Sequence, residues 1–467
     1  MSRHNIGVKL ESAMNEIWAK TALLPSGWAE DVTVRFDENG VITSVEEGQS
    51  TTGSRVNVLL PAPVNAHSHA FQRAMAGMTE MRGPKEGDSF WTWRDLMYRF
   101  LDRLTPEHVE AIAALVQMEM LEAGYATNVE FHYLHHQPGG QPYATLSEMA
   151  ERIMAAAETT GIGLTLLPVQ YEFGGCDKRE LGPGQVRFGN KPERFLRLLE
   201  ECRATLSHLP EDAELGVAPH SLRAVSPEDI RQVPHLAGDG PVHMHIAEQV
   251  AEVEEVHHAY GARPVEWAIE NLPLGPKWCL IHCTQMTPEE TVSLAKTGAV
   301  AGLCPITEAS LGDGIFDGVR WFDSGGRIAV GSDSNIRISL SEELRSLEYS
   351  QRLRDKSRAT LATDNKSTGR ALFDAICAGG AQAAGRNTGA IAQGHLADLM
   401  ALNSESIVLE GHRGDTLLDA FVFAGSDSLV SDVWSAGRHM VKGGRHIHRD
   451  IIIRAYRKAI EPLRAVI

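Results

Sequence analysis

Two histidines one residue apart, His67 and His69 of "NAHSHAFQ", close the apolar run "VNVLLPAPV". In an extended chain, side chains at i and i+2 share a face, so the two imidazoles point the same way and suit one metal ion. Further polar groups end other apolar runs: His245 and Glu248 in "PVHMHIAEQ", His282 in "WCLIHCTQ" and Asp333 in "RIAVGSDS". His243 shares a face with His245 but lies deeper in its run; the three-residue offset to Glu248 favours His245. Imidazoles and a carboxylate gathered from separate segments onto one rim point to a metal site with water or substrate beside it.

Such a rim needs elements that bring distant segments together. Between about residues 58 and 335 eight apolar runs alternate with longer amphipathic stretches: "NVLLPAPVNAH", "ATNVEFHYLH", "GLTLLPVQYEF", "ELGVAPHS", "PVHMHIAEQ", "WCLIHCTQ", "AVAGLCPITE" and "RIAVGSDS". Eight buried strands alternating with helices predict an α/β fold, a (β/α)8 TIM barrel. In nearly every run the apolar part comes first and the His, Glu, Asp or Gln last, so the polar groups collect at the carboxyl ends of the strands, where barrel active sites form. Residues 14–60 show period-two patterning with turns ("DVTVRF", "DENG", "VITSVEEG"), and short strands return beyond about 390. The segments 14–60 and 391–467 are therefore expected to combine into a small β-sandwich domain beside a barrel of residues 61–390. Residues 1–13 read as a polar leader.

Composition narrows the function. The 467 residues carry 44 basic and 61 acidic side chains, a net charge of -17 with no basic cluster, which argues against a nucleic-acid partner or an anionic membrane surface. No 18-residue apolar segment or export signal is present. The six cysteines are scattered and read as buried reduced thiols, which predicts a cytoplasmic protein.

The motifs "NAHSHAFQ", "HIAE", "IHC", "GSDS" and "GHLADLMALN", spread over almost the whole chain, resemble those of the amidohydrolase superfamily. The resemblance implies that His67, His69, His245 and Asp333 bind the metal, with His282 beside the reacting centre. Many relatives with two metals bridge them through a strand-four lysine, but Lys85, Lys178 and Lys191 all lie in loop-like or helix-start sequence, so one ion per chain is expected. Nitrogen-rich ligands with one carboxylate favour Zn(II), although Fe(II) or Mn(II) also fit. In this arrangement Asp333 takes the proton of the attacking water, Glu248 protonates an imine nitrogen and His282 orients the water, as in a deaminase acting on an sp² carbon.

Two arginine-bearing stretches fall on the same rim: "DSFWTWRDLMYRF", a candidate aromatic lid containing Arg94, and "APHSLRAVS", containing His220 and Arg223. Guanidinium groups pair bidentately with carboxylates, so two of them suit a small-molecule dicarboxylate. Together with "IWAKTALLPSGW", "NVEFHYLHH" and "CPITEASLGDGIFD", these stretches are similar to the formiminoglutamate deiminases of histidine degradation. That resemblance implies hydrolysis of N-formimino-L-glutamate to N-formyl-L-glutamate and ammonia, with Arg94, Tyr133, His220 and Arg223 on the glutamate portion and Gln72 near the metal. A homodimer is common among similar barrels and is expected here. Two alternatives remain open: an aminohydrolase of a guanine-like or other aromatic amine, and a metal-free scaffold on the same fold. Glu308 either faces the substrate or caps the helix that follows it, and the Gly-rich stretch 173–190 is a candidate second lid.

Overall fold

The computed structural model describes residues 15–49, 53–80 and 90–464. The expected leader, residues 1–13, lies outside them, as does the start of the candidate aromatic lid.

The barrel strands, numbered here in chain order, are β1 (Val64–Ser68), β2 (Thr127–His132), β3 (Gly163–Gln170), a split β4 (Glu214–Leu215 and Ala218–Pro219), β5 (Val242–Ile246), β6 (Trp278–His282), β7 (Val300–Leu303) and β8 (Arg327–Val330). Each lies within one of the eight predicted runs, except that β1 extends one residue beyond its run, to Ser68. All neighbours pair in parallel, β1 through β4 as one sheet and β5 through β8 as another. Two seams close them into a barrel. Between β4 and β5 the amide of Val217 donates to Pro241 O (3.0 Å) and that of His243 to Val217 O (3.1 Å). Between β8 and β1 the amide of Asp333 donates to His67 O (2.9 Å) and that of His69 to Asp333 O (3.0 Å). Strands covered on both faces are apolar along their length, which is why their sequences read as continuous runs instead of alternating ones.

The first run divides between two sheets. Ser54–Pro61 belongs to the terminal β domain, and Val64 opens the barrel after the Pro61-Ala62-Pro63 corner. Ser54–Pro61 runs parallel to Asn15–Leu24 on one side and antiparallel to Leu399–Leu402 on the other, so the amino- and carboxyl-terminal strands join in one continuous eight-stranded sheet. Ile17, Val32, Val34, Leu59, Leu399 and Trp434 share an apolar cluster of their own. The last helix, Arg449–Arg464, lies on the barrel helix Pro106–Glu122, with Arg449 paired to Glu122 and Ile452, Ile460 and Leu463 buried. Among the described residues no helix is long and apolar enough to cross a membrane.

Candidate active site

The carboxyl ends of the strands converge on one cleft, open to solvent. Nearly every residue singled out from the sequence lines it: His69, Gln72, Arg94, Tyr133, His220, Arg223, His245, Glu248, His282 and Asp333. His67 stands behind them, fully buried. Its Nε2 lies 3.1 Å from His69 Nε2 and 3.0 Å from His245 Nε2, while Asp333 Oδ1 is 3.6 Å from the first ring and 3.3 Å from the second.

The donor set fits a cation. Nδ1–H of His69 donates to Phe131 O (2.9 Å) and Nδ1–H of His245 to His220 O (3.2 Å), which leaves both Nε2 lone pairs directed inward. Burial pushes His69 down to about 3 and holds His67 and His245 well below the ordinary histidine value, so all three rings are neutral. Lone pairs facing one another near 3 Å repel unless a positive charge sits among them, and burial disfavours protons as that charge. His243 takes no part. It is buried, with Nε2 2.7 Å from Ala383 O at the other end of its strand.

Beside this cluster lies an acidic group. His282 Nε2 is 3.8 Å from Glu248 Oε1 and 4.0 Å from Asp333 Oδ2, and its Nδ1 is 3.3 Å from Glu308 Oε1. Burial opposes an imidazolium at His282, but Glu248, Glu308 and Asp333 outweigh it and raise its pKa well above the ordinary value. The same burial pushes Asp333 up to about 7, against the pull of His282, and raises Glu248. Glu308 faces His282 and not the cavity, and it caps the helix in which it lies and not one that follows it. Its Oε1 accepts from the amide of Cys304 (2.8 Å), capping the helix Pro305–Leu311, and faces His282. It does not line the main cavity and therefore acts on that cavity through His282.

Backbone strain marks the same strand ends. His282 and Asp333 hold φ of 75° and 44°, and Ala247, next to Glu248, holds 49°. These are left-handed conformations that non-glycine residues rarely adopt and that tend to occur where geometry serves function. The amides of Ala247 and Glu248 donate to Glu252 (3.2 and 2.8 Å), and Thr284 Oγ1 donates to Glu248 O (2.7 Å), so the turn carrying Glu248 is held from two sides.

The opposite wall is aromatic and cationic. Gln72 Nε2 donates to the Tyr133 hydroxyl (2.7 Å), and the buried Gln72 Oε1 has no partner among the described residues. The guanidinium of Arg94 lies 5.5 Å from the Tyr98 ring centre. Arg223 is half-buried, forms no ion pair among the described residues, and its Nε lacks a hydrogen-bond partner there. Trp93, Met97, Tyr98, Tyr171, Phe188, Thr307, Leu311 and Ser334 complete the lining. The position of Tyr171 just past β3 carried the same end-of-strand signal as the histidines, whereas Phe188, in the Gly-rich stretch, carried none.

Comparison with known proteins places this geometry. A model of the Amidohydrolase family matches residues 58–440. The chain belongs to the amidohydrolase family. Within that family, a model described as the Formimidoylglutamate deiminase HutF N-terminal domain matches residues 14–54, the strands that open the terminal sheet. A Formimidoylglutamate deiminase of Pseudomonas aeruginosa is 46% identical over 447 residues, 95% of this chain and 98% of its own. A crystal structure of an amidohydrolase from Brucella melitensis superposes with a TM-score of 0.92 at 49% identity, covering 96% of this chain and 99% of that one. An adenosine deaminase from Xanthomonas campestris, crystallised with bound zinc, shares the amidohydrolase fold at a TM-score of 0.80 and 21% identity, covering 97% and 98%.

Proposed function

We propose that this amidohydrolase is a zinc-dependent deiminase that hydrolyses N-formimino-L-glutamate to N-formyl-L-glutamate and ammonia in histidine degradation. The relative from Pseudomonas aeruginosa supports the reaction. The observation that carries the substrate class is Arg223, a guanidinium on the cavity wall that makes no direct ion pair among the described residues, its acidic neighbours Glu252 and Glu248 acting on it only through the field. A carboxylate ligand supplies the missing partner, and Arg94 on the same wall suits a second one. A neutral purine supplies neither, which disfavours the aromatic-amine alternative.

His67, His69, His245 and Asp333 are the residues to hold one ion, and three nitrogens with one carboxylate suit zinc. When bound, such a cation supplies the Lewis acidity that makes water a competent nucleophile near neutral pH. His282, steadied by Glu308, orients the attacking water, and Asp333 accepts its proton. The formimino carbon becomes tetrahedral. Glu248 protonates the terminal nitrogen during addition; the proton held by Asp333 then passes to that nitrogen, the hydroxyl proton of the tetrahedral carbon returns to Glu248, the C–N bond breaks, and ammonia leaves. Gln72 contacts the formimino end, while Tyr133, His220, Arg94 and Arg223 hold the glutamate portion.

Six buried, unpaired cysteines are in keeping with a cytoplasmic setting, and a homodimer is the assembly we propose. The test is ammonia release by zinc-loaded protein from N-formimino-L-glutamate, run beside guanine and adenosine. Turnover of formiminoglutamate alone supports the reading, and turnover of a purine alone overturns the substrate while leaving the chemistry.

A further inference from the structure

Arg187, in the Gly-rich stretch after β3, is 1% exposed, and among the described residues it has no carboxylate partner. Burying a guanidinium without a counter-charge is costly unless all its donors are used. Here three of them go to backbone carbonyls from two other segments, and the Tyr143 side chain is a further partner. Nη1 donates to Leu101 O, at the end of the helix Phe90–Leu101. Nη2 donates to Leu104 O (3.0 Å), just beyond that helix. Nε donates to His136 O (2.7 Å), in the segment after β2. The contact runs in both directions, because the amides of His135 and His136 donate back to Arg187 O (3.0 and 2.9 Å).

Each tethered segment presents cavity wall. The helix carries Arg94, Met97 and Tyr98, the end of β2 carries Tyr133, and the Arg187 segment carries Phe188. A positive group at a helix carboxyl terminus is favourable, because unpaired carbonyls and the helix dipole concentrate negative charge there. None of these tethers reaches the imidazole cluster on β1 and β5.

We propose that Arg187 is a positioning residue that sets the substrate specificity of the site by fixing the Arg94 helix against the β2 and β3 segments. It touches neither substrate nor reacting atoms. Its effect on binding rests on the reading of Arg94 as a glutamate-binding group; its effect on the helix does not.

The test uses full-length, metal-loaded protein carrying Arg187→Met or Arg187→Lys. Wild-type protein is first assayed with N-formimino-L-glutamate and with N-formiminoglycine, which lacks the distal carboxylate. In Arg187→Met, KM for the glutamate compound is expected to rise about tenfold or more, with kcat, metal content and kcat/KM for the glycine compound nearly unchanged. Arg187→Lys keeps the charge on a single donor nitrogen but loses the guanidinium fork and should fall between. Equal losses on both substrates, or loss of metal, would show a merely structural role and overturn the proposal.

Hydrogen exchange decides the tether independently of substrate. Faster exchange in residues 90–101, with β5 to β8 unchanged, supports it, and unchanged exchange in that helix overturns it. Should the Met variant not fold, the Lys variant answers the exchange question alone. If wild type fails to distinguish the two substrates, the glutamate reading of Arg94 fails while the exchange result still judges Arg187.

Discussion

Arg223→Met removes the charge of a cavity guanidinium and keeps most of its length. Arg223 has no direct ion pair among the described residues and feels Glu252 and Glu248 only through the field, so the main effect of the substitution falls on the ligand. A charge-assisted hydrogen bond contributes about 1.5–3 kcal/mol, and half-burial argues for the lower part of what a bidentate pair could give. A loss of about 2–3 kcal/mol corresponds to a KM roughly 30- to 150-fold higher for N-formimino-L-glutamate. Arg223 also acts electrostatically on Glu248, whose pKa it pulls down, so a smaller change in kcat and in its pH profile should accompany the rise in KM. Steady-state ammonia release over a wide substrate range gives both constants, and elemental analysis of the same samples gives the metal. A fall in kcat at unchanged KM, or loss of metal, would refute the assignment of Arg223 to a substrate carboxylate.

Other parts of the site carry their own expectations. His245→Ala removes one of three converging nitrogens and should weaken metal affinity by at least about 100-fold, measured by competition with a chelator; an unchanged affinity would remove His245 from the ligand set. Glu248→Gln should lower kcat by about 10²- to 10⁴-fold with metal retained, since only the proton delivered to the leaving nitrogen is lost; a KM effect alone would assign Glu248 to binding. Asp212 ties the terminal sheet to the barrel through Arg438 (2.7 and 2.8 Å) and Arg386 (3.0 Å). Burial works against its charge, but the two arginines outweigh it and hold the carboxyl below its ordinary value. The folded value being the lower one, this stabilisation is complete above the unfolded value of about 3.9 and is lost as pH falls through the depressed value. Asp212→Asn should therefore cost about 3 kcal/mol in urea unfolding at neutral pH, a deficit that shrinks in acid; a pH-independent deficit would put the effect in packing.

The barrel and its rim were legible because the same residues encode both. A parallel strand covered on two faces is an unbroken apolar run, and a catalytic rim puts the polar residue at its carboxyl end, so position within a run told His245 from His243. Less legible was whatever depends on contacts between segments. The run "NVLLPAPVNAH" reads as one strand, but its prolines turn the chain from the terminal sheet into the barrel. Glu308 looked divided between two roles because sequence cannot show that one oxygen meets both the Cys304 amide and His282. Arg187 was invisible as a functional residue, since most of its partners are carbonyls, which every residue possesses. Phe188 reaches the cavity only because of how that segment is tied.

The seam between the last strand and the first is made by the amide of Asp333 on His67 O and the amide of His69 on Asp333 O, so the residues that close the cylinder are also three of the four proposed ligands. During synthesis this places completion of the cation site late. A nascent chain ending before residue 333 owns His67, His69 and His245 but neither the carboxylate nor the backbone partner that fixes the first two. Ion capture therefore reports on arrival of the eighth strand, and uptake kinetics on refolding offer a clock for the moment the ring of strands becomes continuous.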